Sequence, residues 1–168
     1  MLQKKVCMLG SFAVGKTSLV RRFVESIYSD AYHTTVGVKV DKKVVPVDNT
    51  ELMMVLWDLY GADDFQTLQM SYLRGMAGYL LVVDGTRRTT LDVALTVQQT
   101  VEKSFGPCPF VVLLNKSDLT DEWEIEGESE GALAKRGWKV FRTSAKTGEL
   151  VEHAFLELGR AMVGQPAK

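Results

Sequence analysis

The 168-residue chain lacks the features that mark secreted and membrane-spanning proteins. It has only two cysteines, Cys7 and Cys108, which lie far apart and outside any CxxC or metal-ligand spacing, so we expect two buried thiols in a reducing compartment. No apolar run approaches the ~18 residues that a membrane span needs. The N-terminal segment MLQKKVCML turns polar too soon for a signal peptide. We therefore expect a cytoplasmic protein that reaches membranes, if at all, through partners.

The chain also has few histidines and almost no net charge, which argues against a histidine metal site and against a highly charged partner. The two histidines, His33 and His153, have no ligand-like neighbours. The formal net charge is −1, which gives no sequence-wide reason to expect nucleic acid or an acidic membrane as a partner. The last residues, GRAMVGQPAK, contain no cysteine, so we expect no prenylation of this chain.

Five short apolar runs stand out along the chain, and four of them are apolar almost throughout. Such runs are typical of strands that are covered on both faces of a parallel sheet. A sixth, mixed stretch over 36–47 carries lysines and Pro46, which is typical of an edge strand, and the turn at 48–50 joins it to the next run as a hairpin. The five runs are KVCML (5–9), LMMVLW (52–57), YLLVV (79–83), FVVLL (110–114) and WKVF (138–141).

Helical patterns separate these runs. Apolar residues at three- and four-residue spacing predict helices over 16–27, 90–105 and 149–163, and a weaker one over 128–136 that ends at Gly137. The alternation predicts an α/β fold, a three-layer sandwich in which a mostly parallel six-stranded sheet has one antiparallel edge strand. We expect one domain over 1–168. Ligands of such folds bind at the carboxyl ends of the strands.

The loop after the first run, GSFAVGKT (10–17), has the pattern G-x-x-x-x-G-K-[ST] between a strand and a helix. Backbone N–H groups in such a loop form a concave anion site at a helix N-terminus. Lys16 would contact the outer phosphates, and the Thr17 hydroxyl would be a Mg²⁺ ligand. A glycine-rich turn with an exposed lysine is the weaker reading, because the strand–loop–helix context is present. We assign phosphate binding to Ala13, Val14, Gly15, Lys16, Thr17 and Ser18.

The loop after the fourth run, NKSD (115–118), predicts which base is bound. The Asp118 carboxylate can accept hydrogen bonds from N1–H and the 2-amino group of guanine. Adenine has an acceptor at N1 and no 2-amino group, so it would be rejected. Asn115 would tie neighbouring loops together, and the stem of Lys116 would cover one face of the base. The motif becomes strong because it lies downstream of the phosphate loop.

Two further loops carry weaker signals. In the turn formed by Ser144, Ala145 and Lys146, the Ala145 N–H could reach the guanine O6, although a helix cap explains the same small residues. Thr34 and Thr35 are adjacent hydroxyls on a loop, and either could ligate Mg²⁺. An ordinary polar loop is the alternative for that segment.

The fifth loop is WDLYGADD (57–64), which follows the second apolar run. Asp58 could hold Mg²⁺ through water, because this cation dehydrates reluctantly. The Gly61 N–H could bond a terminal phosphate if the backbone comes close, which glycine allows. A strand-to-loop turn is the alternative. Together the five loops predict a protein that binds GTP and GDP with Mg²⁺.

With all five loops present in order, the sequence resembles the Ras-like small GTPases, and most closely their Rab branch. The resemblance covers essentially the whole chain. It is most extensive over 57–86, where every fixed position of WDxxGxxxFxxLxxxYxRGxxGxxLVxD is met, and TTVGV (34–38) is similar to the Rab TTIGV. It implies the P-loop small G protein fold. It also implies that Thr35 rather than Thr34 ligates Mg²⁺, and that Tyr28 stacks edgewise on guanine.

The resemblance further implies a molecular switch. With GTP bound, Thr35 and Gly61 would hold two loops against the γ-phosphate beside Lys16, and hydrolysis would release both loops. These three residues are the candidate catalytic set. Effectors, exchange factors and GTPase-activating proteins would contact the switch loops 31–38 and 60–73. Trp57, which precedes the second loop, either meets effectors or packs on the sheet. We expect a monomer.

Three positions depart from the family pattern at one place. The family's catalytic glutamine, which orients the attacking water, is replaced by Ala62, and bulky Tyr60 and Phe12 stand where small residues are usual. We therefore expect slow GTP hydrolysis with binding intact, because losing a group that acts in the transition state need not weaken ground-state binding. One alternative is a GTP-binding scaffold that rarely hydrolyses. Another is a P-loop kinase or ATPase, against which Asp118 argues.

Overall fold

The computed structural model of the chain describes residues 1–26, 28, 38–59 and 70–164. In these residues strands and helices alternate, with short 3₁₀ turns at Met70–Leu73 and Thr120–Glu122. The strands are β1 (Leu2–Gly10), β2 (Val38–Val47), β3 (Thr50–Leu59), β4 (Met76–Asp84), β5 (Phe110–Asn115) and β6 (Val140–Arg142). The helices are α1 (Lys16–Glu25), α2 (Thr89–Phe105), α3 (Gly127–Lys135) and α4 (Val151–Val163).

The six strands form one sheet in the order β2-β3-β1-β4-β5-β6. Every neighbouring pair is parallel except β2–β3, which is an antiparallel hairpin. Asp48 makes the hairpin turn with a left-handed backbone, φ 53°. The sheet confirms the predicted α/β architecture and its antiparallel edge strand. Because the other strands are parallel, the ends of β1, β3, β4 and β5 share one edge of the sheet.

Two apolar layers cover the sheet, one on each face. Helices α1 and α4 pack on one face, where the rings of Phe23 and Phe155 stack with centroids 4.0 Å apart. Helices α2 and α3 pack on the other, where the ring of Tyr79 stacks on that of Phe110 at 4.9 Å. The strands supply alternate residues to the two layers, as expected for a sheet that is buried on both sides. The three-layer prediction is thus confirmed.

The observed element boundaries differ from the predicted ones by up to three residues. Helix α1 ends at Glu25 because Ser26 takes the left-handed conformation, φ 57°, which a continuing helix does not tolerate; Ile27 lies outside the described residues. Strand β6 begins at Val140 rather than Trp138. The Trp138 ring instead packs edge-on against Phe110, 5.1 Å between centroids.

The two cysteines differ in burial. Cys7 in β1 is fully buried, as predicted, whereas Cys108 is only half-buried because it lies in the loop before β5. Desolvation raises the pKa of the Cys7 thiol to about 12.

The helices seen in the described ranges include none that is both long and apolar enough to cross a membrane.

Candidate nucleotide-binding site

The loop between β1 and α1 is compact because two glycines let the backbone approach neighbouring strands. Gly15 has φ 103°, and a Cβ there would lie 2.3 Å from Nδ2 of Asn115. Gly10 has φ 146°, and a Cβ there would lie 2.4 Å from the carbonyl oxygen of Val82. Both positions therefore require glycine for backbone conformation and for space. The loop rests against the ends of β4 and β5.

Lys16 is buried within this loop, with 6% of its surface exposed. Its ammonium group donates hydrogen bonds to the carbonyl oxygens of Gly10 (3.2 Å) and Ser11 (2.9 Å). Burial lowers the pKa of Lys16 to about 8, while Asp58 opposes the shift and Arg87 adds to it. The ammonium thus lies over its own loop, where a bound phosphate would supply an anionic partner.

A hydroxyl and a carboxylate meet at the start of α1. Thr17 Oγ1 donates to Asp58 Oδ2 over 2.5 Å, because Asp58 lies near the end of β3, beside β1. Asp58 is almost fully buried. In the described part of the chain no cluster of three or more His, Cys, Asp or Glu could hold a metal. One carboxylate with a hydroxyl nevertheless suits Mg²⁺, which usually keeps waters and takes substrate phosphates as its other ligands.

Asn115, at the end of β5, joins two of the predicted loops. Its Nδ2 donates to the carbonyl oxygen of Val14 (3.0 Å), and its Oδ1 accepts from Thr143 Oγ1 (3.3 Å). The side chain is buried, so both bonds lie out of water. Lys116 follows in a left-handed conformation, φ 71°, and its ammonium donates to the carbonyl oxygen of Ala13 (3.3 Å).

Asp118 and the turn at 144–146 are brought together. Ser144 is buried, and its hydroxyl donates to Asp118 Oδ1 over 2.7 Å while accepting from the N–H of Thr147 (3.1 Å). The turn therefore acts as a local cap and also orients the carboxylate. Arg22 of α1 holds the turn in place by donating to the carbonyl oxygens of Ala145 (2.7 Å) and Lys146 (2.5 Å).

The sequence reasoning missed two residues of the site, Asp84 and Arg87. The buried Asp84 carboxylate accepts from the ammonium of Lys116 (2.8 Å) and from Arg87 Nε (2.9 Å). Burial alone would raise the pKa of Asp84, but hydrogen bonds from Lys116, Thr86 and Arg87 outweigh it and lower the pKa below its usual value. The available signal was position: Asp84 ends β4 at the same sheet edge as the other loops.

The remaining predicted residues lie at the rim or outside the described structure. Phe12 is 37% exposed, and Tyr28 is exposed as well. Trp57 is half-buried and packs on the sheet face, with the Lys5 ammonium 3.7 Å from its ring centroid and the Tyr72 ring 6.4 Å away. The switch candidates that lie outside the described residues are Thr34, Thr35, Tyr60, Gly61 and Ala62.

A mixed sheet in this strand order, with a G-x-x-x-x-G-K-T loop between β1 and α1, defines a P-loop nucleotide-binding protein. The family model described as Ras family matches residues 5–164. The chain is also 32% identical over 162 residues to Ras-related protein Rab-1 of Theileria annulata, across 94% of this chain and 73% of that protein. The chain belongs to the Ras family.

Membership of the family confirms the resemblance drawn from the motifs. The chain is a GTP-binding small G protein of Rab-like sequence, and its cofactors are GTP, GDP and Mg²⁺. Members of this family are GTPases, which favours a GTP-binding protein over the alternative of a P-loop kinase or ATPase. Rab-like GTPases interact with effectors, exchange factors and GTPase-activating proteins.

Proposed function

We propose that this chain is a GTP/GDP switch that hydrolyses GTP slowly. The single observation that carries the slow rate is Ala62, which follows the D-x-x-G glycine in the place of the family's glutamine. A methyl group cannot hydrogen-bond the attacking water, so the transition state loses its positioning group. Binding is expected to be intact because Lys16, Thr17 and Asp58 are held in position by the contacts described above.

We assign the binding of Mg²⁺, the phosphates and guanine to residues of the five loops and to Tyr28. Mg²⁺, when bound, would neutralise charge on the outer phosphates, with Thr17, Thr35 and, through water, Asp58 holding it. Lys16, Thr35 and Gly61 would contact the γ-phosphate. The residues proposed to bind the phosphates are Ala13, Val14, Gly15, Lys16, Thr17 and Ser18, and those proposed to bind guanine are Tyr28, Asn115, Lys116, Asp118, Ser144, Ala145 and Lys146.

Phe12 also supports the proposal of slow hydrolysis. It occupies the third position of the phosphate loop and is 37% exposed at the rim. A phenyl ring there would crowd an arginine supplied by a GTPase-activating protein, and it would also crowd a glutamine at position 62. The chain would then remain in its GTP state for longer after each exchange.

The test is single-turnover GTP hydrolysis by the wild type, by Ala62→Gln and by Ala62→Gln combined with Phe12→Gly. We expect a slow wild type and a gain of tenfold or more in the double variant, since one positioned hydrogen-bonding group contributes about 10²–10³ to such rates. GDP affinity, measured in parallel with a fluorescent analogue, should change little. A wild type as fast as glutamine-bearing relatives would refute the slow-hydrolysis proposal.

A second candidate is a GTP-binding scaffold that rarely hydrolyses, and the same Ala62 favours it. The two candidates differ in the lifetime of bound GTP. Chromatography of the nucleotide released from protein that was loaded with GTP and incubated for hours separates them. Predominant GTP indicates the scaffold, whereas predominant GDP indicates the switch.

We also propose that effectors, exchange factors and activating proteins contact the loops 31–38 and 60–73, and that the chain is a monomer. Two exposed apolar side chains support the first part: Val40 on β2, near the first loop, and Tyr72 within the second loop. Substituting Tyr72 with serine should weaken effector binding while leaving GDP affinity unchanged.

A further inference from the structure

The loop after β4 reaches the phosphate loop through Arg87. Its guanidinium donates from Nε to Asp84 Oδ2 (2.9 Å) and from Nη2 to the carbonyl oxygen of Phe12 (2.7 Å). The second bond joins residues 75 positions apart in the chain. Arg87 therefore links a buried carboxylate at the end of β4 to the backbone of the phosphate loop.

Arg87 completes a row of three such contacts. The carbonyl oxygens of residues 12, 13 and 14 each accept a hydrogen bond from a different side chain: Arg87 (2.7 Å), Lys116 (3.3 Å) and Asn115 (3.0 Å). In a planar trans peptide the C=O of one residue and the N–H of the next point in opposite directions. Holding these three carbonyls therefore directs the N–H groups of residues 13, 14 and 15 to the opposite side. Those N–H groups are the ones the anion site requires.

Asp84 couples two of the three contacts. Its Oδ2 accepts both from Arg87 (2.9 Å) and from the Lys116 ammonium (2.8 Å), and the carboxylate is almost fully buried. Charge-assisted hydrogen bonds of this kind are stronger than neutral ones. The positive charge of Arg87 also contributes to the lowered pKa of Lys16, so the guanidinium acts electrostatically on the phosphate site.

The loop that carries Arg87 is itself held in place. A Cβ at Gly85 would lie 2.0 Å from Cζ3 of Trp123, so the indole packs directly on the loop backbone. The N–H of Glu124 donates to the Gly85 carbonyl oxygen (2.7 Å), and Glu124 Oε1 accepts from the N–H of Arg88 (2.8 Å). Trp123 and Glu124, just after the guanine loop, therefore hold the loop that carries Arg87, and Arg87 in turn holds the phosphate loop.

We propose that Arg87 is a positioning residue for nucleotide retention: it holds the Phe12 carbonyl so that the Ala13 N–H faces the phosphates, and thereby slows nucleotide release. The inference rests on the proposed nucleotide site. Arg87 acts on the loop and not on the attacking water, so its loss accelerates release of GDP and GTP alike. Hydrolysis of GTP that is already bound should change far less.

The experiment compares Arg87→Ala with Arg88→Ala. Arg88 is the adjacent arginine, is equally exposed (44% against 42% for the Arg87 side chain), and pairs with Asp92 on α2 over 3.8 Å. Release of fluorescent GDP and GTP analogues into excess unlabelled nucleotide is followed with time. We expect about tenfold faster release of both nucleotides from Arg87→Ala, in keeping with loss of a charge-assisted bond, and a wild-type rate from Arg88→Ala.

A third variant, Arg87→Lys, keeps the charge but cannot make both bonds, so its release rate should lie between those of wild type and Arg87→Ala. It also serves as the test if Arg87→Ala does not fold, as judged by circular dichroism. Release at the wild-type rate from the folded Arg87 variants, or equal acceleration in Arg88→Ala, would overturn this inference but not the proposed function. A wild type that binds no labelled guanine nucleotide would overturn the proposed function as well.

Discussion

Burial and the charge of Asp58 act on the pKa of Lys16 in opposite directions. Its buried ammonium donates to the neutral carbonyl oxygens of Gly10 and Ser11, and desolvation and the charge of Arg87 lower its pKa while Asp58 raises it. The pKa is therefore lowered to about 8, well below that of an exposed lysine. An anionic phosphate would act in the opposite sense by stabilising the charged form.

This competition predicts proton uptake when the nucleotide binds. Above pH 8 the free protein holds Lys16 largely neutral, whereas the complex holds it protonated, so binding consumes a proton and affinity falls as the pH rises. Calorimetric titration of nucleotide-free protein with GDP at pH 8.5, in two buffers of different ionisation enthalpy, measures the uptake. The same pair of titrations at pH 7 should show little uptake from Lys16. Equal heats in both buffers at pH 8.5 would contradict the prediction.

At the residue scale the sequence predicted the residues of the motifs but not Asp84 and Arg87, which hold those residues in place. Asn115 and Asp118 were identifiable because NKxD is a local pattern with a fixed chemistry. Asp84 is the last fixed position of the 57–86 pattern but had no role assigned to it, Arg87 belongs to no such pattern, and the bond from Arg87 to Phe12 spans 75 positions. Only the fold brings these side chains together, so the sequence contains no local signal for the contacts that they make.

At the scale of elements the apolar runs and helical spacing predicted the four α-helices and, with the mixed stretch at 36–47, the six strands in the described residues, because burial on two faces leaves a strong pattern, whereas the two short 3₁₀ turns were not predicted. The boundaries were less accurate. Trp138 is apolar and β-favouring, yet it lies outside β6, which begins at Val140, and its ring packs against Phe110. Backbone choices such as the left-handed Ser26 at the end of α1 also leave little trace in hydropathy.

The packing of Trp123 on Gly85 predicts a large effect from one methyl group. In Gly85→Ala the new Cβ would overlap the indole, which is rigid and cannot move aside without disturbing segment 119–124. We expect a loss of about 1–3 kcal/mol in the free energy of unfolding, as is usual for overpacking. Urea unfolding in the presence of GDP and Mg²⁺ measures it.

Gly131→Ala is the matched control for that substitution. Gly131 lies within α3, and a Cβ there would meet nothing within 4 Å. Alanine is the better helix former, so the control should be neutral or stabilised by up to about 1 kcal/mol. Similar losses in both variants would mean that the Trp123 contact is not the cause.

At the scale of the whole molecule, the site residues that the structure describes, apart from Tyr28, come from the loops after strand ends on one sheet edge or from the first turn of α1. Nucleotide binding should therefore stabilise the folded chain as a unit. With GDP and Mg²⁺ at about 100 times Kd, the gain is about 2.7 kcal/mol. For a chain of this size that is roughly a 5–10 °C rise in Tm.

The same melting experiment tests base selection. ATP with Mg²⁺ at equal concentration should leave Tm nearly unchanged, because Asp118 finds no donors on adenine N1 and C2. In Asp118→Asn the shift with GDP should be largely lost while the unliganded Tm stays close to wild type. Equal stabilisation by ATP and GDP would contradict the guanine assignment.

The unequal burial of the two thiols has a practical consequence for labelling chemistry. Cys7 is enclosed in β1 with a pKa near 12, so almost none of it is the reactive thiolate at neutral pH. Cys108 is half-buried in the loop before β5, at the opposite sheet edge from the nucleotide loops. A maleimide dye should thus attach to the wild-type chain at one position, away from the phosphate and guanine loops, with no cysteine to remove beforehand.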